Sequence, residues 1–147
     1  MPSIEPAKPQ DLPAILDLLA RCGLPRDGLS EHLATALVAR EGGQVVGCAA
    51  LEVYGESALL RSIAVDEGQR GRGLGQRLVE AALSLARERH ITGVYLLTTT
   101  AADFFARFFS FQPIAREEVP EPLKASVEFA SACPETALAM ALRLKET

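Results

Sequence analysis

Apolar residues recur along the chain at two spacings, and each spacing predicts a kind of element. Leu12, Ile15, Leu16 and Leu19 follow i, i+3, i+4, i+7, which lines one face of a helix capped by Asp11, with Pro13 in its first turn. Ile4 opens a short extended segment before it. Gly23, Pro25 and Gly28 break the chain, and Ser30 ahead of Glu31-His32-Leu33 predicts a short second helix. From Ala36 the pattern becomes strand-like: 36–40, a Gly42-Gly43 turn, then 44–54, a hairpin followed by the Gly55-Glu56-Ser57 turn and a strand over 58–65. A helix over 74–90 buries the stripe Leu74, Leu78, Ala82 and Leu85. Gly93 separates it from a strand over 94–98, whose apolar run without alternation is expected of a strand covered on both faces. Thr100 with Asp103 predicts a capping box for a helix over 101–109. In the tail, 111–116 reads as a strand. Pro120 and Pro122 open a helix with Leu123, Val127 and Ala130 as apolar positions, Pro134 stops it, and 136–144 forms the last strand. The order β-α-α-β-β-β-α-β-α-β-α-β is α+β, with one βαβ unit at its centre.

A chain of 147 residues, 48% hydrophobic and 23% charged, is expected to form one compact domain over 1–147. A net charge of -4 excludes a general nucleic-acid surface, since affinity for a polyanion rests on clustered Lys and Arg. Cys22, Cys48 and Cys133 are odd in number and far apart, with only His32 and His90 as companions, so neither a zinc site nor a disulfide framework is expected. The first ten residues contain three prolines where a leader would have a basic segment and an apolar core. No apolar run reaches the roughly 20 residues of a membrane span, and a cytoplasmic protein is expected.

The densest chemistry lies in Gln69-Arg70-Gly71-Arg72-Gly73-Leu74-Gly75, between the apolar stretch ending Ile63-Ala64-Val65 and the helix that begins at Leu74. Alternate glycines allow positive φ and remove Cβ atoms, so successive N–H groups can converge on one anion at the positive end of a helix. A P-loop would end in G-K-S/T, and here Gly75 is followed by Gln76-Arg77. A dinucleotide fingerprint needs G-x-G-x-x-G in a chain of alternating βα units, which a hairpin-rich chain lacks. The spacing that fits is Q/R-x-x-G-x-G/A, met by Arg70, Gly73 and Gly75.

With its flanking strand, long helix and following strand-helix pair, this loop resembles the acetyl-CoA loop of the GCN5-related N-acetyltransferases (GNAT). The resemblance covers nearly the whole chain in element order and implies a mixed, mostly antiparallel sheet of six to seven strands flanked by helices. A narrower likeness lies in 98–105 (Thr-Thr-Thr-Ala-Ala-Asp-Phe-Phe), Val119-Pro120 and Ser131-Ala132-Cys133-Pro134. These look like the glutamate N-acetyltransferase branch, and especially the small acetyltransferases of bacterial arsenic-resistance operons, one of which acetylates an arsenic-containing glutamate analogue.

The resemblance implies acetyl-CoA as co-substrate, no metal, a small amine as acceptor, and direct attack of that amine on the thioester in a ternary complex. Homodimers are common in the family. Ile63, Ala64 and Val65 would line the pantetheine and offer an N–H to the thioester oxygen. Gly71, Gly73 and Gly75, with Arg70, Arg72 and the N–H groups of Leu74 and Gln76, would hold the pyrophosphate. Where relatives often place a tyrosine to protonate the thiolate, this chain has Phe104 and Phe105, so the proton comes from water, Tyr54 or Tyr95, and Phe105 touches the pantetheine or serves the core. The helix also ends in Phe109-Ser110-Phe111, where relatives usually have glycine.

Arg61 is the candidate substrate contact: a guanidinium inside an apolar strand needs a partner, either a substrate carboxylate or Glu52 on the neighbouring strand. Glu52 is either an edge-facing charge or, with a pKa raised by burial, a relay for the amine proton. Lys124 and Glu128 at i, i+4 read as a solvated face, Cys133 as a small buried residue, and His32 and His90 as helix-end groups. An alternative to catalysis is a CoA-binding sensor or regulatory module, and a further one is an interaction domain whose loop binds no nucleotide.

Overall fold

The computed structural model describes residues 2–129 and 136–144. Ala130, Cys133 and Pro134, read above as an apolar helix position, a buried thiol and a helix stop, lie outside the described residues.

Seven strands form one sheet in the order β1-β2-β3-β4-β5-β7-β6. They are β1 Ser3–Pro6, β2 Ala36–Glu41, β3 Gln44–Tyr54, β4 Ser57–Val65, β5 Gly93–Thr98, β6 Gln112–Ile114 and β7 Leu138–Arg143. All neighbours are antiparallel except β4 and β5, which are joined through the helix α2, Leu74–Glu88. Among the described residues the α-helices besides α2 include α1 Leu12–Arg21, α3 Ala102–Phe109 and the single turn α4 Glu121–Lys124. This is the α+β architecture expected from the element order.

Strand alternation sorts the core onto two faces. Leu37, Ala39, Ala49, Leu51 and Leu60 pack with Leu74, Leu78 and Ala82 of α2 and with Phe105 and Phe111. Ala36, Val38, Cys48, Ala50 and Ala64 on the other face pack against Ile15, Leu18 and Leu19 of α1. Leu85, expected in the α2 stripe, is only partly buried, and Leu83 and Ala86 are buried instead. Helix α2 lies so close to β3 that a Cβ on Gly47 would stand 2.9 Å from Leu78 Cδ1. A smaller cluster of Leu59, Val119, Leu123 and Ala139 attaches the tail to the α1 face beyond Tyr54 and Tyr95.

Several local expectations are corrected. Asp11 does not cap α1 with its side chain. Its carboxylate accepts the Lys8 N–H at 2.9 Å and the Arg40 guanidinium at 2.9 Å, so it ties the short 3-10 turn Pro9–Asp11 to β2. The second helix is a 3-10 segment, Leu29–Thr35, entered through Gly28 at φ 73°. The Thr100/Asp103 capping box does not form; Thr98 Oγ1 instead accepts the Ala101 N–H at 2.9 Å. Ser110 ends α3 in the left-handed region at φ 63°, the turn for which glycine is usual. Strand β6 is shorter than the 111–116 reading and carries Pro113 on the sheet's outer strand.

Candidate functional site

The site begins with a fault in β4. Cys48 is opposite Ala64 and Ala50 is opposite Arg61, so Ala49 faces two residues, Ser62 and Ile63. Ser62 takes φ 60°, an unusual conformation for a residue with a side chain. Its carbonyl accepts the Cys48 thiol at 3.1 Å, and its hydroxyl accepts the Arg61 Nε–H at 2.9 Å, so the bulge is held from both sides. Burial pushes the Cys48 thiol up to about 12, which keeps it protonated in this role. Already before the bulge β4 leaves its parallel neighbour: pairing with β5 covers only Ser57–Gly93, Ala58–Val94 and Leu59–Tyr95. A cavity of about 880 Å³ fills the resulting gap, lined by Leu60 to Ile63 on one side and Leu96 to Ala101 on the other.

At one end this cavity joins the glycine loop. Gly71 and Gly73 have φ 81° and 79°, and a Cβ on either would meet no protein atom within 4 Å. The glycines are therefore required by backbone conformation and leave open space above the loop, rather than serving the packing of the loop itself. Gly73 immediately precedes α2, and its carbonyl accepts the Arg77 N–H at 3.1 Å, which opens the helical ladder. The N–H groups of Leu74, Gly75 and Gln76 stand ahead of that ladder, at the positive end of a helix of 15 residues. A second hollow, about 260 Å³, lies over them and shares Arg70, Gly75 and Phe104 with the main cavity. The residues present fit a phosphate-bearing ligand whose chain runs on between the splayed strands.

At the other end is a buried charge cluster. The hairpin register places Ala50 opposite Arg61 and Glu52 opposite Leu59, so Arg61 and Glu52 are diagonal neighbours on one face. Their side chains are 0% and 1% exposed and meet at 2.7 Å, Nη1 to Oε2. Arg61 Nη2 reaches the Pro25 carbonyl at 3.4 Å, and Nε stands 3.4 Å from Glu128 Oε1. Tyr54 donates to Glu52 Oε1 at 2.5 Å, and His32 Nε2 lies 3.6 Å from the same oxygen. Burial pushes the Glu52 carboxyl upward, but hydrogen bonds from Tyr54, Arg61 and Ser126, with His32 nearby, outweigh it and hold the group below its ordinary value. Burial, reinforced by Glu52, pushes the Tyr54 hydroxyl up to about 12.

These contacts relocate several roles. Glu52 is neither an edge-facing charge nor a carboxylate with a raised pKa; it is buried, ionised and paired, and like Tyr54 it is absent from the cavity lining. Tyr95 lines a different hollow of about 440 Å³, with Gln112 and Arg143. Arg61 does line the main cavity, but protein groups enclose its guanidinium. Glu128, read as part of a solvated face with Lys124, is buried and lines the cavity, while Lys124 pairs with Glu121 at 3.0 Å. No local signal marked it, because its burial is set by how the tail packs back on β4 through Val119 and Leu123. His32 is likewise drawn in from a helix-end reading. Ile63 and Phe105 line the main cavity and Val65 the loop hollow, whereas the Ala64 side chain is buried toward α1. Arg70 donates to the Val65 carbonyl at 3.2 Å and to Cys22 Sγ at 3.4 Å, and Arg72 is exposed.

Together the splayed strands, the N–H-lined loop and the charged far end form a cavity whose shape and chemistry suit an extended anionic ligand anchored at the loop. The chain belongs to the acetyltransferase (GNAT) family, whose model matches residues 5–111. It is 35% identical over 98 residues to an uncharacterized N-acetyltransferase of Chlorobaculum tepidum, covering 66% of this chain and 62% of that protein. It is 39% identical over 66 residues to an amino-acid acetyltransferase of Mycobacterium tuberculosis, covering 44% of this chain and 37% of that protein. The matches thus span less than two thirds of these relatives' length. Among solved structures, Rv2747 of Mycobacterium tuberculosis in complex with CoA superposes with a TM-score of 0.80 at 26% identity, over 98% of this chain and 100% of that one. The N-acetylglutamate synthase of Neisseria gonorrhoeae, complexed with coenzyme A and N-acetyl-glutamate, shares the fold at a TM-score of 0.84 and 24% identity, over 99% of this chain and 36% of that one.

Proposed function

We propose that this protein is an acetyl-CoA-dependent N-acetyltransferase whose acceptor is the primary amine of a small amino-acid-like molecule. The observation that carries this reading is the parting of β4 from β5 directly beside the glycine cradle, which gives a phosphate-bearing thioester both an anchor and a channel. Glutamate and its arsenic- or phosphorus-containing analogues are the candidate acceptors, in keeping with the amino-acid acetyltransferases among the relatives and the arsenic-operon likeness of the sequence. The reaction is assigned to the cytoplasm.

Bound acetyl-CoA supplies a thioester carbonyl open to attack by the amine. The Leu74, Gly75 and Gln76 N–H groups take the pyrophosphate, with charge from Arg70 and Arg72. The β4 backbone around Ile63 orients the thioester and donates to its oxygen. Phe104 and Phe105 exclude water from the channel. Because a thiolate is a tolerable leaving group near neutral pH, no tyrosine is needed in the channel to protonate it.

Thiol release from acetyl-CoA, measured over a panel of amino acids that includes glutamate and its analogues, tests the proposal; no release with any amine would sink it. The second reading, a CoA-binding module without catalysis, is favoured by Phe104 and Phe105 at the helix positions where relatives often carry the acid. CoA raises the melting temperature under both readings, and only turnover separates them.

A further inference from the structure

Within the buried cluster around Arg61, Glu128 is the acidic group that also lines the main cavity. Resting on the acetyltransferase reading, we infer that Glu128 seats the incoming amine at the polar end of the cavity and takes its proton, and that Arg61 is the positioning residue that holds Glu128 there.

The placement of Glu128 is fixed by its surroundings. Its N–H donates to Ser126 Oγ at 3.2 Å, and its carboxylate forms a 3.4 Å ion pair with Arg61 Nε. The preceding residue, Val127, lies so close to the loop between α1 and β2 that a Cβ on Gly28 would stand 2.9 Å from Val127 Cγ1. Glu52 answers the Arg61 charge at 2.7 Å from the side away from the cavity. Among the described residues, the titratable and charged groups around Glu128 are Arg61 and, through Arg61, Glu52, which carries Tyr54 and His32 on its Oε1, with Asp27 in the same cavity lining. Among the described residues Arg61 stands between two carboxylates, Glu52 at 2.7 Å and Glu128 at 3.4 Å, so its charge is already answered and the Glu128 side of the cavity favours an ammonium group over a second anion. The same cavity runs from Glu128 past Ser62 and Ile63 to Gly75, so an amine seated there faces a thioester threaded from the loop.

The step balances as follows. The ammonium gives one proton to the Glu128 carboxylate, and the neutral nitrogen forms the N–C bond to the acyl carbon. The C–S bond breaks with its electron pair on sulfur, the second amine proton passes to that thiolate, and Glu128 returns its proton to solvent.

The test uses the full chain, acetyl-CoA and a panel of L-amino acids as amine probes. Glu128→Gln keeps the shape and removes the charge. It should show the wild-type CoA-induced rise in melting temperature, yet release thiol about 100-fold more slowly near neutral pH. That deficit should shrink as pH approaches the amine's own pKa, because the free amine then arrives without the proton Glu128 removes. A deficit constant with pH, or a rate within twofold of wild type, overturns the inference. If Glu128→Gln does not fold, Glu128→Asp serves, with a raised KM for the amine and an unchanged one for acetyl-CoA expected; a wild-type amine KM overturns it. Should wild type bind CoA but acetylate none of the probes, calorimetry on the CoA-saturated protein decides: amine binding lost in Glu128→Gln supports the ammonium seat, and absent binding in wild type overturns it. No CoA-induced shift in wild type would instead remove the acetyltransferase reading beneath it.

Discussion

At one end of the central cavity the protein offers backbone, at the other it offers side chains. The loop end is built from one contiguous stretch, Arg70 to Gln76, whose N–H groups and left-handed glycines form a surface that any phosphate could use. The opposite end draws Glu52 and Tyr54 from β3, Arg61 from β4, His32 from the 3-10 segment, Pro25 from a loop and Glu128 from the tail. On the acetyltransferase reading, a co-substrate whose phosphates do not change from one acceptor to another needs only the first kind of site. Choice of acceptor needs the second kind, where each contributing segment can vary independently. The first end should therefore fail through loss of affinity, and the second through loss of stability.

The largest effect is expected from Arg61→Ala, which leaves the buried Glu52 carboxylate without its cation and should cost roughly 3–5 kcal/mol in urea unfolding. A loss under 1 kcal/mol would show that the cluster is not a structural unit. Next, Gly73→Glu places a carboxylate in the loop hollow at a left-handed position. CoA affinity measured by calorimetry should fall at least about 100-fold, or ~2.7 kcal/mol, with a smaller change in folding; unchanged affinity would break the contrast at its backbone end. The pH response is a third, finer test. Since the folded Glu52 pKa is below its ordinary value of 4.5, its contribution to stability is present above that pH and is lost as pH falls through the lowered folded value. Glu52→Gln should flatten the acid limb of the stability profile, and an unaltered limb would assign acid sensitivity to other groups, such as Asp11, whose bonds from Arg40 and Lys8 also lower its pKa. The smallest effect is expected from Ser110→Gly, which relieves φ 63° at the end of α3 and should stabilise by about 0.5–1 kcal/mol while leaving CoA affinity and acetylation rate alone.

The same division explains what could be read in the sequence. The glycine loop, the α2 stripe and the β2–β3–β4 hairpins are local patterns: spacing, φ preference and alternation act within a few residues, so they could be recognised before the fold was known. The Glu52–Arg61 pair was half legible, because a short turn at Gly55-Glu56 fixes the register that makes them neighbours. Glu128 was not, since its burial depends on how the tail returns across the α1 face, a contact made by Leu123 and Val119 with Leu59 on β4. The bulge at Ser62 carried no signal either. A serine at φ 60° has no glycine or proline to announce it, and its conformation is imposed by Cys48, Arg61 and the strand it interrupts. In each failed cap another group took the bond: Arg40 from β2 claims the Asp11 carboxylate, and Thr98, three residues upstream, accepts the Ala101 N–H at the entrance to α3.

The proline in β6 has a consequence for crowding. A seven-stranded sheet ends in two outer strands, and each is a template onto which a second chain could add in register. Here β6 is three residues long with Pro113 at its middle, and β1 is four residues long and closes on Pro6, so both margins are short and each lacks an amide hydrogen. Strand-by-strand accretion, the route by which a partly opened sheet seeds fibres, is thereby discouraged at both margins.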